Sequence, residues 1–218
     1  MAAIEVDGRL VKALRASFDE ACVRVVHGDV LSIDLATVGA AFGDLAPSPL
    51  VVVGNLPYAI SKPIAQKLVA ERDRVRRAVL MFQREVAARV TASPGGGAYG
   101  PLSVLCGLAY EVERMFDVPP RAFRPPPDVA STVTRWTEHP AVSRLDPCIE
   151  RPLRACLAAS FARRRQTLRN NLRAALGSSA RAEEVLGAAG LDGATRAEQV
   201  DAAGFLRLAR VWSSIQLV

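Results

Sequence analysis

A doubly wound α/β sheet with a reversed edge, followed by a small all-helical part, is the fold this sequence predicts. Three observations carry it. Short apolar runs alternate with amphipathic stretches from the start of the chain to about Ala109. That rhythm then gives way to two strand-like runs, Glu111–Val118 and Val129–Trp136, joined by the proline-rich segment Pro119–Pro127, which leaves no room for a helical crossover. Past about Val142 no strand pattern remains.

Each element follows from its local pattern. Ala3–Val6 reads as a strand, and Arg9–Phe18 as a helix with Leu10, Ala13, Leu14 and Phe18 on one face. Val23–Val26 is a second strand, ending in His27-Gly28-Asp29. A weaker helical stretch near Leu35–Phe42 is broken by Ala46-Pro47-Ser48-Pro49. Leu50–Val53 is apolar on both faces, the pattern of a central parallel strand. Ser61 opens a helix that tolerates Pro63 in its first turn. Ala78–Phe82 is the fourth strand, Glu85–Thr91 a helix, Gly95-Gly96-Gly97 part of a flexible connection, and Leu102–Ala109 another helix. Beyond the reversed pair, Arg151–Leu176 reads as one long helix, followed by helices over Ala180–Ala189 and Ala203–Ser214.

At 218 residues and 50% hydrophobic content the chain has ample material for a core. No apolar run reaches the ~18 residues that cross a bilayer, and the first residues lack the basic-then-apolar order of a secretory signal. The expectation is a cytoplasmic chain with no membrane partner. Cys22, Cys106, Cys148 and Cys156 form no C-x-x-C pair and have only His27 and His139 beside them, so reduced, packed cysteines and no metal are expected. The formal charge is +6, and of the 28 basic residues only Lys12, Lys62 and Lys67 are lysine. Arginine's planar fork suits phosphates and bases. A GC-rich genome raises arginine too, and the totals do not separate the two.

Placement says more. Ligands of open parallel sheets bind beyond the carboxyl ends of the strands. Glu5 ends the first strand, Asp29 lies just past the second and Asn55 just past the third. A carboxylate in such a position can grip the two hydroxyls of a ribose, and Asp29 can accept from an exocyclic amine. Asn55-Leu56-Pro57-Tyr58 is more specific still. The Asn55 side-chain oxygen and a backbone carbonyl around Pro57 can hold the two hydrogens of an adenine amine and aim its lone pair at an electrophilic methyl. Pro57 fixes the backbone, and Tyr58 offers a face for an extruded base. Phe123, in a rigid loop flanked by Arg121 and Arg124, fits either a second base-stacking ring near phosphates or a polyproline ligand.

Taken with Asn55–Tyr58, the segments Ala98-Tyr99-Gly100-Pro101-Leu102-Ser103-Val104, Ala122-Phe123-Arg124-Pro125-Pro126-Pro127 and Arg163-Arg164-Arg165-Gln166-Thr167-Leu168-Arg169-Asn170-Asn171-Leu172 occur in this order. In all four, the sequence resembles the KsgA family of small-subunit ribosomal RNA adenine dimethyltransferases. The resemblance implies a Rossmann-like class I methyltransferase sheet over residues 1–141 and a helical RNA-docking domain over 142–218. It implies S-adenosylmethionine as donor, no metal, and two adjacent adenines of the 3′-terminal small-subunit hairpin as target, met by a monomer on a pre-30S-type particle. Glu5 would then hold the donor's ribose, Asp29 and Val30 would flank its adenine, and Asn55 would line both pockets. Asn55, Leu56, Pro57, Tyr58 and Phe123 would meet the target base. Arg121, Arg124, Arg163, Arg164, Arg165 and Arg169 would meet RNA, the last four on one helix with Arg173.

Family members also carry a first strand and a glycine-rich turn ahead of the segment matching Ala3–Asp7. No strand here is followed by G-x-G, so the sheet is expected to be N-terminally incomplete. Ala59 and Ala130 stand where the family usually has Asn and Asp. Two other functions stay open at this point. One is a non-catalytic small-subunit assembly factor, motivated by the missing turn. The other is an Erm-type enzyme that modifies large-subunit RNA and confers antibiotic resistance.

Overall fold

The computed structural model describes residues 1–40, 49–139 and 147–215. The expected breaker at Ala46–Ser48, the end of the helix at Phe42 and the boundary at 141/142 lie outside these residues. Strand β1 (Ala2–Glu5) leads into helix α1 (Gly8–Ser17), which starts because the Asp7 carboxylate accepts the Arg9 N–H. Strand β2 (Arg24–His27) then pairs in parallel with β1. After α2 (Leu35–Ala40) come β3 (Leu50–Asn55), α3 (Ser61–Ala70), β4 (Val75–Gln83), α4 (Arg84–Val90) and α5 (Pro101–Ala109). The reversed pair is β5 (Tyr110–Val118) and β6 (Ser131–Glu138), with β6 between β4 and β5. Helices α6 (Pro147–Ser160), α7 (Leu168–Leu176), α8 (Ser179–Ala188) and α9 (Ala202–Ile215) complete the described chain.

The mixed α/β architecture with a helical C-terminal part is therefore as expected, and so is the antiparallel edge. One strand is not where its pattern placed it. The strands form two sheets, β1-β2 and β3-β4-β6-β5, so β3 is an edge and not a central strand. Val51 and Val53 project from it 56% and 78% exposed. Both faces of β3 are apolar, yet among the described residues only β4 pairs with it. Val6, Leu10 and Phe18, after β1, are exposed as well.

The core is anchored on aromatic rings. Trp136, fully buried, packs edge-on against Tyr110 at 5.5 Å and against Phe82 at 6.1 Å. Each polar tip is satisfied: the Trp136 indole N–H donates to Thr134 Oγ1 at 2.8 Å and the Tyr110 hydroxyl to the Leu68 carbonyl at 3.0 Å. The same buried cluster continues through α5 into the helical part, where Phe161 stacks near Phe205 at 5.5 Å. Tyr99 bridges the two, its ring 6.3 Å from Phe161 and its hydroxyl donating to the Val200 carbonyl at 3.0 Å. Burial pushes that phenol up to about 12.

A second correction concerns the basic helix. Arg151–Leu176 is not continuous: α6 ends at Ser160, α7 begins at Leu168, and Arg163, Arg164 and Arg165 lie in the turn between them. Of these five arginines only Arg169 and Arg173 are helical. Thr167 caps α7 by accepting the Asn170 N–H, and Gly177, at φ +69°, closes it. Buried Asn171 holds the turn: its Nδ2 donates to the Ser160 carbonyl at 2.7 Å and the Arg163 carbonyl at 3.1 Å, and its Oδ1 accepts the Arg163 N–H at 3.2 Å. Asn171→Ala removes all three bonds and strands buried backbone groups, so a loss of about 2–4 kcal/mol is expected. A urea titration checks this: the midpoint should fall with the slope unchanged.

Candidate active site

Asn55 is the last residue of β3 and is exposed at its carboxyl end, opposite Met81 of β4. The preceding Gly54 is tightly packed. A Cβ there would stand 3.0 Å from Leu80 Cδ2 and 3.1 Å from Leu56 Cδ2, so those two leucine tips would have to give by a few tenths of an ångström. Pro57 accepts the Ile60 N–H at 3.1 Å, forming a 3₁₀ turn over Tyr58–Ile60 that runs straight into α3. Ser61 opens α3 without capping it, and its buried hydroxyl has no hydrogen-bond partner.

Tyr58 is half-buried, and its hydroxyl is hydrogen bonded to Ser131 Oγ at 2.9 Å. That contact brings the tetrapeptide beside the end of the proline-rich loop. Phe123 in this loop is half-buried, with its N–H donating to the Pro120 carbonyl at 3.1 Å, while Arg121 and Arg124 are exposed. The loop returns where Arg84 N–H donates to the Ala130 carbonyl at 3.0 Å.

Glu5 and Asp29 share the carboxyl end of the other sheet, joined by Gly28 N–H donating to the Glu5 carbonyl at 2.9 Å. Glu5 Oε1 accepts the Asp7 N–H at 2.8 Å, and Asp29 Oδ1 accepts the Leu31 N–H at 2.9 Å. Each carboxylate thus spends one oxygen on its own loop. Val30 is half-buried and packs on the main core. Among the described residues no strand pairing joins this end to β3, so Glu5 and Asp29 lie on one sheet and Asn55 on the other.

The arginines divide as well. Arg164 donates to the carbonyls of Gly97 at 2.9 Å and Tyr99 at 3.1 Å and pairs with Glu198 at 3.4 Å. With Gly95 N–H bonded to the Glu198 carbonyl at 2.7 Å, the glycine run is tied to the helical part and is not the free connection its composition predicts. Gly95, at φ +84°, supplies the conformation this needs. Arg169 pairs with Glu183 at 2.7 Å. Arg163 and Arg165 are exposed. A groove of about 670 Å³ runs beside the first turn of α3, with Lys62, Arg89 and Arg164 on its walls.

Sequence reasoning missed Ser131, Gly54 and the structural use of Arg164. A hydroxyl opening a strand directly after a proline-rich loop is a signal that was available for the first. The use of Arg164 depends on contacts over long chain separations, and Gly54 meets Leu80 across the sheet as well as nearby Leu56. Among the described residues no group of three or more His, Cys, Asp or Glu could hold a metal ion, and no helix is long and apolar enough to cross a membrane.

The chain is similar to known proteins. A ribosomal RNA small subunit methyltransferase A of Acidobacterium capsulatum is 42% identical over 217 residues, covering 98% of this chain and 73% of that protein. One from Bordetella petrii is 43% identical over 169 residues, covering 78% of this chain and 61% of that protein. Among solved structures, a dimethyladenosine transferase from Plasmodium falciparum shares the fold with a TM-score of 0.74 at 23% identity, covering 95% of this chain and 79% of that one. The 23S rRNA methyltransferase ErmE aligns with a TM-score of 0.64 at 25% identity, covering 96% and 80%. The profile of the family described as ribosomal RNA adenine dimethylase matches residues 1–213. This chain belongs to the ribosomal RNA adenine dimethylase family.

Proposed function

We propose that this chain, once joined to a glycine-rich donor turn, dimethylates N6 of two adjacent adenines in the 3′-terminal hairpin of small-subunit ribosomal RNA, using S-adenosylmethionine, during assembly of the small subunit. The observation that carries this reading is the Asn55–Tyr58 turn at the carboxyl end of β3, with Tyr58 half-buried beside the Phe123 loop. The extensive likeness to proteins named for the small subunit favours it over the large-subunit alternative. In this reading the chain acts as a cytoplasmic monomer on a pre-30S-type particle.

An adenine amine is a weak nucleophile because its lone pair is delocalised into the ring. Asn55 Oδ1 accepts one of its hydrogens. The Pro57 carbonyl is already engaged by Ile60 N–H, so we assign the second hydrogen to the Leu56 carbonyl, one peptide earlier. With both hydrogens held, the lone pair points out of the ring plane and no strong base is needed. Tyr58 and Phe123 sandwich the base, and the proton released goes to solvent. Arg121, Arg124, Arg163, Arg165 and Arg169 approach phosphates.

The residues present fit the nucleoside half of the donor: Glu5 and Asp29 each keep one carboxylate oxygen beyond those bonded to Asp7 and Leu31, for the ribose hydroxyls and the adenine amine respectively. When bound, the donor supplies an electrophilic methyl carbon. For its methionine half the described residues offer no glycine-rich cradle. We propose a further parallel strand bearing such a turn between β1 and β3, where it would pair with both. Calorimetry with S-adenosylmethionine is then expected to find weak or no binding to the 218-residue chain, and at least about tenfold tighter binding once a strand and glycine-rich turn are joined ahead of Met1. Tight binding by the chain alone would remove the need for that strand and the motive for a non-catalytic reading. The function itself is tested by incubating both forms with immature small subunits and labelled donor and mapping the methylated adenines. Adjacent adenines of the small-subunit hairpin are expected; modification confined to the large subunit would overturn the proposal.

A further inference from the structure

Ser131 is fully buried at the first position of β6, where it opposes both Gln83 of β4 and Val118 of β5. It is the point at which the loop carrying Phe123 rejoins the sheet. Its hydroxyl meets the Tyr58 phenol oxygen at 2.9 Å, across 73 positions of sequence. The neighbouring bond from Arg84 N–H to the Ala130 carbonyl fixes the same corner of the loop. The Ser131 backbone is thus held between two strands, and its side chain reaches the one polar atom of Tyr58.

A para-hydroxyl bond fixes the direction of a tyrosine's long axis, because the oxygen lies on that axis. Without it, rotation about the Cα–Cβ bond swings the ring between staggered positions. We propose that Ser131 is a positioning residue for the base-stacking step: by anchoring the Tyr58 hydroxyl it turns the ring face, and not its polar tip, toward an adenine held at Asn55. The inference rests on the stacking reading given above. It has two consequences. The Tyr58 hydroxyl is occupied and is not the acceptor of the amine's proton. The rings of Tyr58 and Phe123 also take their spacing from one shared corner of the sheet, so an adenine enters a slot of set width.

The test needs no methyl donor. A target-hairpin RNA carrying 8-vinyladenine, a fluorescent purine that keeps the 6-amino group held at Asn55, at the methylated position is titrated with the full 218-residue chain, following RNA affinity and the probe's fluorescence together. Stacking on an aromatic ring quenches this base, so the wild-type complex is expected to be dim. Ser131→Ala and Tyr58→Phe each remove one end of the bond. Ser131→Ala is expected to bind RNA within about twofold of wild type, and both variants to give a complex roughly two- to threefold brighter. The double variant should be no brighter than either single one, since both lose the same interaction. Melting curves show whether the variants fold, and if Ser131→Ala does not, Tyr58→Phe at its half-buried site carries the test. Variants as dim as wild type, or brightening that adds in the double variant, would overturn the role of Ser131 alone. A wild-type complex that binds RNA without quenching would remove the stacking reading, and this inference with it.

Discussion

Asn55→Ala is expected to lower single-turnover methyl transfer by about 10²–10³ while hairpin RNA binds within about threefold of wild type. The magnitude follows from what is lost. Asn55 supplies one of two acceptors that hold the amine in the geometry of attack, and removing one preorganised polar group from such a site costs about 10²–10³ in rate. Its contribution to affinity is small by comparison, because the hydrogen bond replaces one the free base makes to water, a net of about 1 kcal/mol or less. Nor should the fold suffer: Asn55 is exposed at a strand end, where substitutions stay within about 0.5 kcal/mol. Asn55→Asp keeps an acceptor at the same reach and should retain more activity than the alanine variant. The comparison is made in the form carrying the added strand, with transfer followed by labelled methyl and binding by filter retention. Wild-type turnover in Asn55→Ala would remove the role assigned to this side chain.

The parts of this site that were legible in the sequence are those fixed by neighbours in the chain. Asn55, Pro57 and Tyr58 act as a unit because a strand end, a fixed φ and a 3₁₀ turn follow one another without a break. The reversed β5-β6 edge was legible because a loop of prolines cannot hide a crossover helix. The place of β3 was not. An apolar pattern reports that both faces of a strand favour cover, but it does not say which segment provides it, and here Val51 and Val53 have none among the described residues. The break between α6 and α7 was hidden for a different reason. Ala162-Arg163-Arg164-Arg165-Gln166 has good helix propensity throughout, and what turns the chain is Asn171, folding back eight to eleven residues. Thr167 was the local clue, a capping residue ahead of Leu168-Arg169-Asn170. The Tyr58–Ser131 bond had only the weaker clue of a hydroxyl just after the proline-rich loop, since its partners lie 73 positions apart.

That turn alters what the arginine cluster can do, and a paired substitution brings this out. On one helix, Arg163, Arg164 and Arg165 would fan around the axis and share a role. In the turn they separate: Arg164 reaches inward to Gly97, Tyr99 and Glu198, whereas Arg163 and Arg165 are exposed and make no ion pair among the described residues. Arg163→Ala with Arg165→Ala is therefore expected to weaken RNA binding by roughly tenfold to a hundredfold at low salt, with melting temperature unchanged. Each lost phosphate contact also removes about 0.7 from the slope of log affinity against log salt on single strands, so the pair should flatten it by about 1.4. Arg164→Ala should behave in the opposite way. It frees two backbone carbonyls and Glu198, lowering the melting temperature, while the salt slope changes by less than about 0.7. Salt titrations of RNA binding on the two variants, read beside their melting curves, decide the matter. An unchanged slope in the double variant would take Arg163 and Arg165 off the RNA, and a slope that falls equally in Arg164→Ala would mean that this side chain leaves its internal partners when RNA arrives.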